Sequence, residues 1–178
     1  MSDGRDQLID TMNQLDPQLV WALTGLTEPQ RYWQIGTNNP IAETAFHMTR
    51  SIDRVVMQVL QSKPQIWEAK GYGQKLSTVP AGHPTAGMTP EQAKNLRVEP
   101  WPDFVEYVKD VMAATKSYLK ESTDAELETV LKGARMDTFA GSGDFSKMRV
   151  LRGRISHASM HLGEIFAQRG AQSLQGAP

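Results

Sequence analysis

His157 and His161 stand four residues apart in Ile155-Ser156-His157-Ala158-Ser159-Met160-His161-Leu162-Gly163-Glu164-Ile165 and make up half of the four histidines in the chain. On a helix this spacing stacks two imidazoles on one face, one turn apart, where they can chelate a single metal ion. Two nitrogens do not complete a site, so the pattern carries chemistry only if another element brings a third ligand. His47 is the candidate: three protein nitrogens with one open position is the arrangement of a catalytic zinc-type centre, whereas structural sites are closed. Each of these histidines could equally be a solvated residue at the border of a core. The two readings separate on whether the helices that carry them are neighbours.

Four segments show helical periodicity. The first runs from about Arg5 to Gly25 with Leu8, Met12, Leu15, Leu19 and Leu23 as its stripe; Pro17 within it is expected to kink or split it. The second opens at Asn38-Asn39-Pro40 and runs to about Ser62, with Ile41, Ala45, Met48, Ile52, Val55 and Val59 on one side. The third spans about Pro102 to Glu121 and the fourth about Lys147 to Arg169, with Gly170 as a stop signal. On the fourth helix the stripe is Leu151, Ile155, Ala158 and Leu162. His157 and His161 fall to one side of it, on a flank shared with Arg154, Glu164 and Gln168. His47 is likewise off its own stripe, beside Glu43, Arg50, Ser51 and Arg54.

A long Gly/Pro-rich connection, Lys63 to Trp101, joins the second and third helices. Inside it, Thr89-Pro90-Glu91-Gln92 predicts a short helix with a reciprocal cap, and Thr123-Asp124-Ala125-Glu126 predicts a second after the third helix. The stretch from Lys132 to Asp144 is expected to be irregular or a small hairpin. The expected architecture is all-α: one domain over residues 1–178, four long helices and one long crossover.

Composition narrows the function classes. With 19 Lys+Arg against 20 Asp+Glu, the chain lacks the basic excess of a dedicated nucleic-acid binder. The absence of cysteine excludes disulfides, thiolate zinc sites and a cysteine nucleophile. No apolar run reaches the roughly 20 residues of a membrane span, and the N-terminus lacks a signal-peptide pattern, so a cytoplasmic protein without nucleic-acid or membrane partners is expected.

Three stretches together resemble the DinB-like (YfiT-like) metal-dependent superfamily. They are Asn39 to Met48 with Ser51-Ile52-Asp53-Arg54; Pro64 to Tyr72, with its Trp67-Glu68 pair, and Met88 to Ala93; and His157 to Ile165. The resemblance implies an up-down-down-up four-helix bundle with a long crossover between helices 2 and 3, and frequent homodimers. It implies that His47, His157 and His161 ligate one divalent metal, often zinc or nickel. It further implies a small-molecule transferase that uses a low-molecular-weight thiol cosubstrate; a metal-dependent hydrolase and a non-catalytic, stress-associated ligand-binding protein are the alternatives. One departure is Glu164, where many members carry Gln. Its carboxylate could tune a ligand, bind substrate or be solvated. Arg154, one turn before His157, is the expected contact for an anionic thiol, and Trp67 a possible pocket wall, although aromatics such as Trp67, Tyr72 and Trp101 more often anchor a loop. His83 is left without a role.

Overall fold

A computed structural model describes residues 4–76, 78–80, 88–137 and 141–178. His83 lies outside the described residues. Four long helices dominate: α1 (Gly4–Leu23), α3 (Ile41–Asp53), α7 (Trp101–Glu121) and α9 (Lys147–Ala171). Between and after them lie the short helices α2 (Glu28–Tyr32), α4 (Ile66–Ala69), α5 (Tyr72–Lys75), α6 (Pro90–Asn95) and α8 (Asp124–Leu127). No helix among the described residues is long and apolar enough to cross a membrane.

The apolar stripes are the core. Leu8, Met12, Leu15, Leu19 and Leu23 of α1 are buried, as are Phe104, Val108, Val111 and Tyr118 of α7 and Leu151, Ile155, Ala158 and Leu162 of α9. The helix α1 packs on α7 and α9, and α3 packs on α9 and α7, so all four stripes meet in one continuous core. Pro17 neither splits nor ends α1. It removes one helical hydrogen bond, but Leu15 and Leu19 on either side are buried and hold the helix against its neighbours.

Two features depart from the expectation. The chain is mostly helical, not all-α: β1 (Val130–Asp137) and β2 (Gly141–Ser146) form an antiparallel hairpin with register shifts on either side of the Ala134–Arg135 pairing. Leu131, Ala134 and Phe145 turn toward the core, which is why this short ribbon is not left as loop. The second long helix is also irregular. After Asp53 it widens into a π-helical segment, Arg54–Val59, with Val55 and Val56 buried.

The capping signals form as chemistry requires. Thr89 Oγ accepts from the Gln92 N–H while Gln92 Oε1 accepts from the Thr89 N–H, closing the reciprocal cap of α6. Thr123 Oγ accepts from the Glu126 N–H at the start of α8, and Ser146 Oγ from the Arg149 N–H at the start of α9.

The crossover is fastened by one buried carboxylate. Asp53, with no exposed surface, accepts hydrogen bonds from the Ile66 and Trp67 N–H groups at 2.8 and 3.0 Å and from the Tyr107 hydroxyl at 2.8 Å. Arg50 stands 3.6 Å from the same carboxylate and lies over the Trp67 ring. Tyr72 donates to Asp110, and Trp101 Nε1 donates to the Leu23 carbonyl. The crossover aromatics therefore anchor the loop to the helices. Removing the carboxylate strands the two N–H groups and takes from Arg50 its buried counter-charge. Asp53→Ala is expected to lose about 3–5 kcal/mol of unfolding free energy in urea, and Asp53→Asn, which keeps one acceptor oxygen, less. Equal stability of Asp53→Ala and the parent would contradict this.

Candidate metal centre

The helices α3 and α9 run side by side, and polar bonds at both ends set their register. Gln168 Nε2 donates to the Asn39 carbonyl at 2.7 Å, just before α3 begins. Arg154 donates to Ser51 Oγ at 2.6 Å, near the end of α3. The lower-numbered residue of α9 thus meets the higher-numbered residue of α3, so the pair is antiparallel. His47 falls between these two rungs, and so do His157 and His161.

The three imidazoles converge. One ring nitrogen from each of His47, His157 and His161 lies within 4.8 Å of the other two. The His47 ring centre is 5.3 Å from that of His157 and 5.1 Å from that of His161. All three side chains are half-buried, on the core border where helical phasing placed them. His157 Nε2 and His161 Nε2 are 3.1 Å apart. Metal–nitrogen bonds of about 2.0–2.1 Å set ligand nitrogens roughly 3.0–3.4 Å apart, between a right angle and a tetrahedral one. This pair already has the spacing of two ligands on one ion. The residual gap to His47 is of the size that rotation about χ1 and χ2 of one imidazole closes.

Glu164 settles which nitrogen faces the centre. Its Oε2 is 2.7 Å from His161 Nδ1. A carboxylate there accepts the Nδ1 proton, leaving the Nε2 lone pair directed at the other two rings. This is the outer-shell arrangement that orients a metal-binding histidine and raises its basicity. The donor set therefore fits a divalent ion with nitrogen preference: three imidazoles, one oriented by a carboxylate, all from helices.

A cleft of about 410 Å³ opens beside His161. Its walls are Ile35 and Thr37–Asn39 from the α2–α3 loop, Thr44 of α3, and Glu164, Ala167 and Gln168 of α9. Arg154 and Trp67 are not among these residues. Arg154 is buried in its bond to Ser51, and Trp67 packs edge-on against Phe46 and Tyr107. Glu164 reaches both the cleft and the centre.

Glu43, one turn before His47 on α3, is 4 % exposed. Burial, reinforced by the nearby Glu164 charge, pushes its carboxyl from 4.5 up to about 7, against the opposing hydrogen bond from Asn39. Its signal in the sequence was its place on the His47 face. Gln168 likewise continues the α9 flank at 157, 161, 164 and 168, but nothing in the spacing told which of these residues would meet a cleft.

The Glu43 shift has a stability consequence. Unfolded, the group loses its proton near 4.5; folded, near 7. The folded state holds the extra proton between those values, so stability falls as pH rises through that window. In chelator-treated protein, the parent should lose roughly 2–3 kcal/mol more than Glu43→Gln between pH 4.5 and 7.5, measured by urea unfolding. Parallel pH profiles for the two proteins would contradict it.

Comparisons with known proteins agree with this architecture. A crystal structure described as a conserved protein from Enterococcus faecalis superimposes with a TM-score of 0.76 at 20 % identity, covering 92 % of this chain and 94 % of that one. It shows the fold alone. A search of curated proteins returns no match. The family profile of the DinB superfamily matches residues 5–165, a span that takes in all three histidines of the centre, and the chain belongs to that superfamily.

Proposed function

We propose that this protein is a divalent-metal-dependent enzyme that acts on a small molecule held in the cleft beside His161, as a transferase with a low-molecular-weight thiol as cosubstrate. The observation that carries the reading is the convergence of His47, His157 and His161 next to an open cleft. Three ligands from two helices leave coordination positions for a substrate atom. The profile match over nearly the whole chain and the pairwise packing of α1, α3, α7 and α9 support a single domain built as an up-down-down-up bundle.

When bound, zinc or nickel would supply Lewis acidity that lowers the pKa of a thiol or water placed in the open position. The protein's own groups do the positioning. Glu164 holds His161 with its Nε2 lone pair inward. The Arg154–Ser51 and Gln168–Asn39 bonds keep the two histidine-bearing helices in register. The α2–α3 loop forms one side of the cleft. No cysteine is present, so any thiol comes from a cosubstrate.

Elemental analysis of protein purified without a histidine tag tests this reading. About one divalent ion per chain is expected, lost in His47→Ala and His161→Ala with the helical circular dichroism retained. Turnover of an electrophile should need both the ion and a thiol. Turnover with the ion but without thiol dependence would instead indicate hydrolysis. A folded, untagged protein that binds no divalent ion would overturn the proposal.

A further inference from the structure

The cleft beside the histidines carries a definite polarity. Among the described residues that line it, Thr37, Asn38, Asn39, Thr44 and Gln168 are uncharged, Glu164 is a carboxylate, His161 presents its imidazole, and none is a lysine or arginine. Glu43 lies one layer behind, tied to the wall residue Asn39 and close enough to Glu164 for their charges to interact.

Gln168 supplies an independent observation. It is 3 % exposed and lines the cleft. Its Nε2 is spent on the Asn39 carbonyl, while its Oε1 is buried with no hydrogen-bond partner. An unmatched buried acceptor costs about 1–3 kcal/mol, which a ligand's N–H or O–H recovers once a turn of the side chain brings the oxygen to the cleft. Glu164 binds His161 through Oε2, so its other oxygen is a second acceptor at the same wall. The start of α3 lies nearby, with Glu43 in its first turn.

Acceptors without a lysine or arginine select a donor, and the Glu164 carboxylate favours a charged one. We propose that the cleft recognises a protonated primary amine, whose N–H groups are taken by Gln168 Oε1 and Glu164, so that the molecule brought to the histidines is a cationic amine and not an anion. This rests on the reading of the cleft as the substrate site of the metal centre. It also replaces the expectation of an anionic ligand met by Arg154, since that arginine is committed to Ser51.

Butylamine, butanol and butyrate share one chain and differ in the end group, so they serve as the probes. Each is titrated by NMR into the parent protein and into His47→Ala, in which coordination of the amine by a metal ion is disabled. In both proteins butylamine should bind about tenfold more tightly than butanol or butyrate, about 1.4 kcal/mol. The Gln168 side-chain amide and the Asn38 and Asn39 backbone amides should shift. Gln168→Leu should lower the amine affinity about tenfold and leave butanol unchanged. Should that variant not fold, Glu164→Gln gives the same comparison. The proposal is overturned if butanol or butyrate binds as tightly as the amine, if butylamine does not saturate, or if the folded variants bind it as the parent does. An amine preference kept in His47→Ala stands even if the metal reading fails; metal binding without that preference leaves the metal reading intact and removes this one.

Discussion

Everything at the candidate centre depends on the register between α3 and α9. It is set by the apolar seam of Ile41, Ala45, Met48 and Ile52 against Leu151, Ile155, Ala158 and Leu162, and by two polar rungs. Apolar packing alone is tolerant of sliding, because a helix offset by one turn presents a similar stripe. The rungs are not tolerant. Arg154–Ser51 and Gln168–Asn39 lie 12 residues apart on α3 and 14 on α9, roughly 18–21 Å. A one-turn slip would leave buried polar groups unmatched at both ends, and would carry His47 away from His157 and His161 by about 5.4 Å.

A second set of charges serves the crossover. Asp53, Arg50 and Tyr107 form a buried cluster that receives the first backbone N–H groups of α4. It lies at the far end of α3 from the cleft. Arg50 is drawn into the interior by this cluster and Arg154 by its bond to Ser51, although both share a helix face with histidines. Among the described residues the cleft is left with acceptors and no lysine or arginine, which gives it a polarity opposite to the one its arginine-rich neighbourhood in the sequence suggests.

The long helices were legible because their stripes repeat at three and four residues, and burial follows those stripes. The reciprocal cap at Thr89 was legible because it needs only local bonds. The histidine pair was legible for the same reason: its spacing is a property of one helix. The π-helical segment was not, since Val55 and Val59 at four-residue spacing suit an α-helix equally well. The strands of the hairpin are short and interrupted by glycines, and their burial depends on α9, so local pattern left them undecided. For Arg154 helical phasing gives a flank but not what stands opposite; its partner is Ser51, 103 positions away. Glu164 was legible as a residue beside the histidines, and its hydrogen bond to His161 adds the orientation that sequence could not supply.

The central claim is that register brings three imidazoles onto one ion. X-ray absorption spectroscopy of the zinc-loaded, untagged protein reads the ligand set directly, since imidazole rings give a distinct outer-shell pattern. The account predicts three histidine nitrogens at about 2.0–2.1 Å, completed by one or two oxygen ligands. A shell of oxygens, or one with a single imidazole, would contradict it.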